Sequence, residues 1–284
     1  MSLIWAALLP PVLLWGVNRG IRRSLAATRE RETAQPEGLP WRQVSIPTAN
    51  GKRLFAWYIP GQAGAPALVV MHGWGGNAQM MLPLAQPLHA AGYSLLMVDA
   101  RCHGQSDDDS FTSMPRFAED IEHAMRWLAE QPEALNAPLG LVGHSVGAGA
   151  ALLVAARNSH VAAVVSLAAF AHPAGIMRRW MRAKHIPFWP LGAYILFYVQ
   201  RVIGHRFDDI APVNTIFRVN CPVLLVQGRE DETVPVEEAE AIFARRQNSR
   251  VELLVIPGSH DDYGDIGLQL GTLTSFLDRA LKHP

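Results

Sequence analysis

A chain of 284 residues, 49% hydrophobic and 18% charged, has the size and apolar content of a globular protein with one substantial core. Its 25 basic and 25 acidic residues cancel, so the global basic excess of a nucleic-acid binder is absent and no nucleic-acid partner is expected. Cys102 and Cys221 are the only cysteines, which excludes a disulfide framework.

Residues 2–17 carry no charged side chain, and Arg19, Arg22 and Arg23 follow at once. A secretory signal places its charge before the apolar run, whereas charge after the run suits an anchor whose next domain stays cytoplasmic. As a helix the run reaches only about 25 Å against a hydrocarbon core of ~30 Å. Pro10 and Pro11 would also kink it. Residues 1–23 therefore read as a short or interfacial membrane anchor, a soluble helix packed over a lid or dimer contact, or a cleaved signal. The matching locations are the cytoplasmic side of a membrane or the cytoplasm, with peripheral or N-terminal membrane association as one expectation. The oligomeric state is left open.

Residues 24–40 are polar and broken by Pro36, Gly38 and Pro40, the composition of a tether. Two strand patterns, 41–46 and 54–59, then flank Asn50-Gly51, a strong hairpin signal. Short apolar runs follow at 67–71, 93–98, 139–142, 161–168, 223–226 and 251–256. Helical patterns at 79–91, 115–130, 146–157, 234–247 and 266–281 alternate with them. Apolar strands separated by helices predict an α/β fold, a parallel sheet covered on both faces, with the hairpin adding antiparallel edge strands.

One segment breaks the alternation. Residues 171–206 contain six aromatics, among them Trp180, Trp189 and Phe197, and six Lys or Arg, with no acid. This predicts a helical insertion over the carboxyl edge of the sheet, either a cap lining a substrate pocket or a peripheral helical pair with a solvated basic face. The expected division is thus 1–23, a linker 24–40, a core of 41–170 and 214–284, and a cap over 171–213.

Gly143-His144-Ser145-Val146-Gly147 lies where an apolar strand gives way to a helix of small residues. A tight strand–turn–helix step lifts the serine oxygen clear of the sheet and sets it at a helix N-terminus, where developing negative charge is favoured. A Gly-rich connection of this kind can also be purely structural, so the partners matter. A serine hydroxyl needs an adjacent base. Residues 228–235, with Glu230, Asp231 and Glu232, follow one strand, and His260 follows the last. The order serine, acid, histidine is that of a sheet-based triad, in which the acid orients the imidazole and the imidazole carries the proton.

These elements together resemble the α/β-hydrolase superfamily over most of residues 41–284. His72-Gly73-Trp74-Gly75-Gly76 resembles its oxyanion loop, residues 99–106 the loop after its fourth strand, and residues 228–235 its acid-bearing turn. The resemblance implies an α/β-hydrolase fold with an eight-stranded, mostly parallel sheet. It selects Asp231 among the three acids and backbone N–H groups of Trp74 and Val146 as oxyanion donors. It further implies Ser145, Asp231 and His260 as catalytic residues, with His72 and His103 ordering loops. Trp74, His144, Trp180, Trp189 and Phe197 are expected around the substrate; covering the sheet edge is an equal alternative for the Trp74 indole, and His144 is expected, like His72 and His103, to order its loop rather than react. Gly73-Trp74-Gly75-Gly76 departs from the His-Gly-Gly-Gly loop and is closer to the lysophospholipase, monoglyceride-lipase and serine-aminopeptidase-like branch.

No ligand cluster with metal spacing and no phosphate-binding glycine loop is present in the sequence, so no cofactor and no metal are expected. The reading is a serine carboxylesterase acting on a small-molecule or lipid ester with an apolar acyl group. Amide or thioester hydrolysis is the alternative, and a non-catalytic binding protein the third possibility.

Overall fold

Val17, Ile21 and Leu25 recur every fourth residue, and this stripe fastens α1 (Ser2–Ser24) and its exit to the rest of the protein. Ile21 is buried, with Val17 and Leu25 packed beside the core. The Tyr194 hydroxyl donates to Asn18 at 2.7 Å and Arg22 Nε donates to the Tyr198 hydroxyl at 3.0 Å. Residues 12–15 of the same helix stand exposed. The computed structural model describes residues 2–261 and 266–282, so positions 262–265 and 283–284 of the expected core lie outside the described residues. Among the described residues, no helix is long and apolar enough to cross a membrane.

The stretch expected as a tether has neither helix nor strand beyond Ser24, yet it is laid down on the core. Arg29 donates to the carbonyls of Gly104 and Ser106, Gln79 accepts from the amides of Thr33 and Ala34, and Gln105 donates to Glu32. Its polar composition reflects these loop contacts as well as solvent.

Asn50 and Gly51 take φ of 60° and 67°, the left-handed conformation that lets a tight turn follow strand twist. They join β1 (Arg42–Pro47) to β2 (Arg53–Ile59) as an antiparallel pair. Next come β3 (Ala67–Met71), α2 (Ala85–Ala90), β4 (Ser94–Val98), α3 (Met114–Ala129), β5 (Leu139–His144), α4 (Val146–Ala155) and β6 (Val161–Leu167). The helix predicted over 79–91 is divided into a 3-10 segment, Ala78–Leu84, and α2. Pro83 and Pro87 lack the amides that a continuous helical ladder requires.

After β6 the chain leaves the sheet for α5 (Pro173–Ala183), a turn at Phe188–Gly192, α6 (Ala193–Ile203) and the short α7 (Phe207–Ile210) and α8 (Pro212–Thr215). It returns as β7 (Val223–Gly228), α9 (Val236–Ala244), β8 (Val251–Ile256) and α10 (Ile266–Leu281). The eight strands run β1-β2-β4-β3-β5-β6-β7-β8, parallel from β4 through β8. Both faces are apolar and covered. One side packs on α3, α4 and the helical insertion α5–α8, and the other on α2 and the end of α10. The fold therefore matches the expected mostly parallel sheet with a helical insertion.

Candidate active site

Parallel strands bring the segments that follow β3, β4, β5, β7 and β8 to one edge of the sheet, and the chemistry gathers there. Ser145 sits between β5 and α4 with φ 52° and ψ −113°, a strained conformation for a residue with a side chain. Close packing enforces it. A methyl on Gly143 would overlap the Gly147 carbonyl, and one on Gly147 would come within 2.6 Å of the Met71 carbonyl oxygen. The glycines flanking the serine are thus demanded by helix–strand contact. The Ser145 amide donates to the Leu167 carbonyl at 2.8 Å, holding the turn in the sheet.

His260 reaches this serine from the loop after β8. Its Nε2 lies 3.0 Å from Ser145 Oγ, and its Nδ1 lies 2.8 Å from Asp231 Oδ2. Because a carboxylate only accepts, Nδ1 carries the proton and Nε2 presents its lone pair to the hydroxyl. Asp231 is buried and fully engaged. Its Oδ1 accepts from the amides of Thr233 and Val234 at 2.9 and 2.7 Å, and Oδ2 also accepts from Gln227 Nε2 at 2.9 Å. Burial alone would raise its pKa. The hydrogen bonds from His260, the Val234 amide and Gln227 outweigh it and hold the carboxyl below its ordinary range.

The neighbouring acids have different surroundings. Glu230 accepts from the Gly258 amide at 2.6 Å and ties the acid turn to the histidine loop, while Glu232 is exposed. Gln227 was missed by sequence reasoning, although a polar residue ending an apolar strand was a usable signal. Besides holding Asp231, its Nε2 donates to the Val234 carbonyl at 2.7 Å.

The loop after β3 lies against the serine, for a side chain on Gly73 would stand 3.1 Å from both Ser145 Cβ and the His144 ring. His72 fixes that loop: Nδ1 donates to the Gly73 carbonyl at 2.6 Å and Nε2 accepts from the Ala100 amide at 3.0 Å. Burial, with His103 nearby, pushes the His72 pKa down to about 3, and burial pushes His103 down to about 4. Both stay neutral at ordinary pH, consistent with a positioning role. Trp74 follows Gly73 and is partly exposed, its indole edge-on to His103. Val146 is the first residue of α4, where amides have no acceptor within the helix.

His144 Nε2 donates to the backbone carbonyl of His260 at 2.9 Å, bracing the loop that carries the imidazole. Burial, then the adjacent His260, lowers its pKa. Trp180, Trp189 and Phe197 lie on the cap, 48%, 76% and 51% exposed. Lys184 stands over Trp180, Phe188 meets Trp189 edge-on and Arg201 stands over Phe197, so these rings are held by other cap residues. The cap itself is pinned beside the acid turn, where Glu238 of α9 accepts from the Ala171 amide and pairs with Arg179.

Residues 63–200 match the sequence profile of the family described as serine aminopeptidase, S33. An uncharacterized protein of Mycobacterium tuberculosis is 30% identical over 224 residues, 78% of this chain and 73% of that one. Among solved structures, the Pyrococcus furiosus esterase Pf2001 superposes with a TM-score of 0.74 at 22% identity, over 90% of this chain and 98% of that chain. Est1E of Butyrivibrio proteoclasticus, solved with ferulic acid bound, gives 0.66 at 20% identity over 84% and 99%.

Proposed function

This chain belongs to the α/β-hydrolase superfamily, in its serine-hydrolase form, and from that premise we propose that it is a carboxylesterase for esters with an apolar acyl group. The observation that carries the reading is His260 bridging Ser145 and Asp231 at 3.0 and 2.8 Å. In the proposed reaction His260 Nε2 takes the Ser145 proton as Oγ attacks the ester carbonyl. Negative charge then builds on the carbonyl oxygen, and the backbone amides of Trp74 and Val146 receive it, each worth about 3 kcal/mol or more in comparable sites. Collapse of the tetrahedral intermediate expels the alcohol, which takes its proton from His260. Water, deprotonated by the same imidazole, attacks the acyl-enzyme and releases the acid.

The Ser145 turn supports this assignment independently of the hydrogen bonds. A positive φ on a serine persists only where packing enforces it, and such strain gathers at working sites. The proposed acyl pocket has Trp74, next in sequence to Gly73, and His144, next to Ser145, as its near wall and the cap, taken as 171–213, as its roof.

The match to the serine-aminopeptidase family favours a second reading, hydrolysis of an amide at a free N-terminus. Such a substrate needs a carboxylate for its ammonium group, and residues 171–207 supply none. Two measurements decide. A fluorophosphonate probe should label the full chain and fail to label Ser145→Ala. Turnover of p-nitrophenyl esters should exceed that of aminoacyl p-nitroanilides; the reverse order would replace the ester reading with the amide one. An absence of labelling in folded protein would end both.

A further inference from the structure

We propose that the face shared by α1 and the cap is a docking surface for an anionic phospholipid bilayer, on which the protein lies without crossing it. The first ground is where the apolar side chains are exposed. Of the twelve large ones exposed among the described residues, eight belong to α1 and the cap: residues 12–15, Trp180, Phe188, Trp189 and Phe197. The two parts form one surface, because Val17 and Ile21 seat α1 on the core while Asn18 and Arg22 bond to Tyr194 and Tyr198 of α6. Exposed apolar area gathered on adjoining elements in this way marks an interaction site.

Charge decides what the partner is. Residues 2–29 and 171–207 hold ten of the 25 Lys and Arg and none of the 25 Asp and Glu. In a molecule of zero formal charge these two segments are therefore strongly cationic. Arg29 is paired with Asp108, Arg179 with Glu238, and Arg206 faces Asp208 at 3.6 Å. Among the described residues, no ion pair engages Arg19, Arg22, Arg23, Arg178, Arg182 or Arg201.

Cations and rings are also interleaved. Arg19 stands over Trp15 at 5.6 Å, Arg178 over Phe188 at 4.7 Å, Lys184 over Trp180 at 4.8 Å and Arg201 over Phe197 at 5.1 Å. Shallow grooves open among them. One of about 420 Å³ is lined by Trp15, Arg19, Arg22, Arg23 and Tyr198, and one of about 430 Å³ by Arg178, Arg182 and Phe188. Aromatic rings settle at headgroup depth in a bilayer, with guanidinium groups at the phosphates, and apolar residues such as 12–14 enter the acyl boundary. A second copy of this chain is disfavoured as the occupant, since like faces of equal charge would repel. A polynucleotide offers phosphates but no hydrocarbon for residues 12–14.

Flotation of the full chain with vesicles of phosphatidylcholine, alone or mixed with phosphatidylserine, tests the proposal. The protein should float with the mixed vesicles, far less with the neutral ones, and should release as salt is raised. Replacing Arg178, Arg182 and Arg201 together by glutamine should weaken binding on the order of 100-fold, while lysine at the same positions preserves it. Leu14→Ser with Trp15→Ser should also weaken it. Ser145→Ala should float like the parent, so this result stands or falls separately from the esterase reading. Equal or no binding to both vesicle types overturns the proposal. So does retention by the glutamine variant, a salt-resistant dimer burying α1, or tighter binding to duplex DNA than to the mixed vesicles.

Discussion

The sheet edge around Ser145 and the outer face formed by α1 and the cap are built on opposite rules. At the sheet edge buried polar groups are linked in hydrogen-bonded chains. Arg101, fully buried, donates Nε to Asp120 at 2.7 Å and its amide to the same carboxylate at 2.9 Å. The adjacent Ala100 amide donates to His72, and His72 donates to the Gly73 carbonyl beside the serine. On the outer face cations lie over exposed rings and are offered to solvent. The first arrangement fixes a few atoms for chemistry, and the second leaves charge and apolar area available to something else. One chain can hold both because the rigid edge is specified by packing within the core, while the outer face needs only composition.

The sharpest way to break this contrast is to change the acid without changing its shape. Asp231→Asn should keep the fold and lower kcat by roughly 10⁴-fold, since the imidazole loses the partner that sets its tautomer. A modest loss, measured by ester hydrolysis, would detach Asp231 from the chemistry. Next in size is Arg101→Ala. Leaving Asp120 buried without its partner should cost about 3–5 kcal/mol, read as a lower midpoint in urea unfolding. Gly147→Ala tests packing directly. Alanine favours a helix over glycine by about 1 kcal/mol, yet here the methyl meets the Met71 and His72 carbonyls, so stability should fall.

Changing pH gives a further test. The buried Asp99 carboxyl accepts from the Ala78 and Gln105 amides and faces Glu32. Burial, then the hydrogen bond with Glu32, pushes its pKa up to about 8. The unfolded value is near 4, so the native state binds the extra proton between these limits. The stability this proton provides is complete at the acid end and declines as pH rises through about 8. Glu32→Gln removes the facing charge and should flatten that decline when melting temperature is followed across pH. An unchanged slope would separate the 24–40 segment from Asp99. Smallest of all, Phe188→Ala on the outer face should shift stability by about 0.5 kcal/mol or less. A larger loss would show that the cap aromatics serve packing.

The recurring strand ends made much of the site legible in advance. Ser145, Asp231 and His260 each follow an apolar run, and in a parallel sheet the ends of such runs meet at one edge whatever their distance in sequence. Gln227, Glu230 and Glu32 were not legible as partners. Their contacts depend on which loop lies over which, and an isolated polar residue carries no mark of its neighbour. The same holds for residues 24–40, whose tether-like composition conceals hydrogen bonds to two core loops.

By itself the sequence determined the class of fold, the serine turn and an acid-free cationic insertion, because periodicity, glycine spacing and charge are local properties of the chain. Only the tertiary structure decided that α1 and the cap share one face. It alone also decided that His144 braces the His260 loop and that Asp99 meets Glu32. Those facts are distances between segments remote in the chain, and strand order and side-chain packing set them.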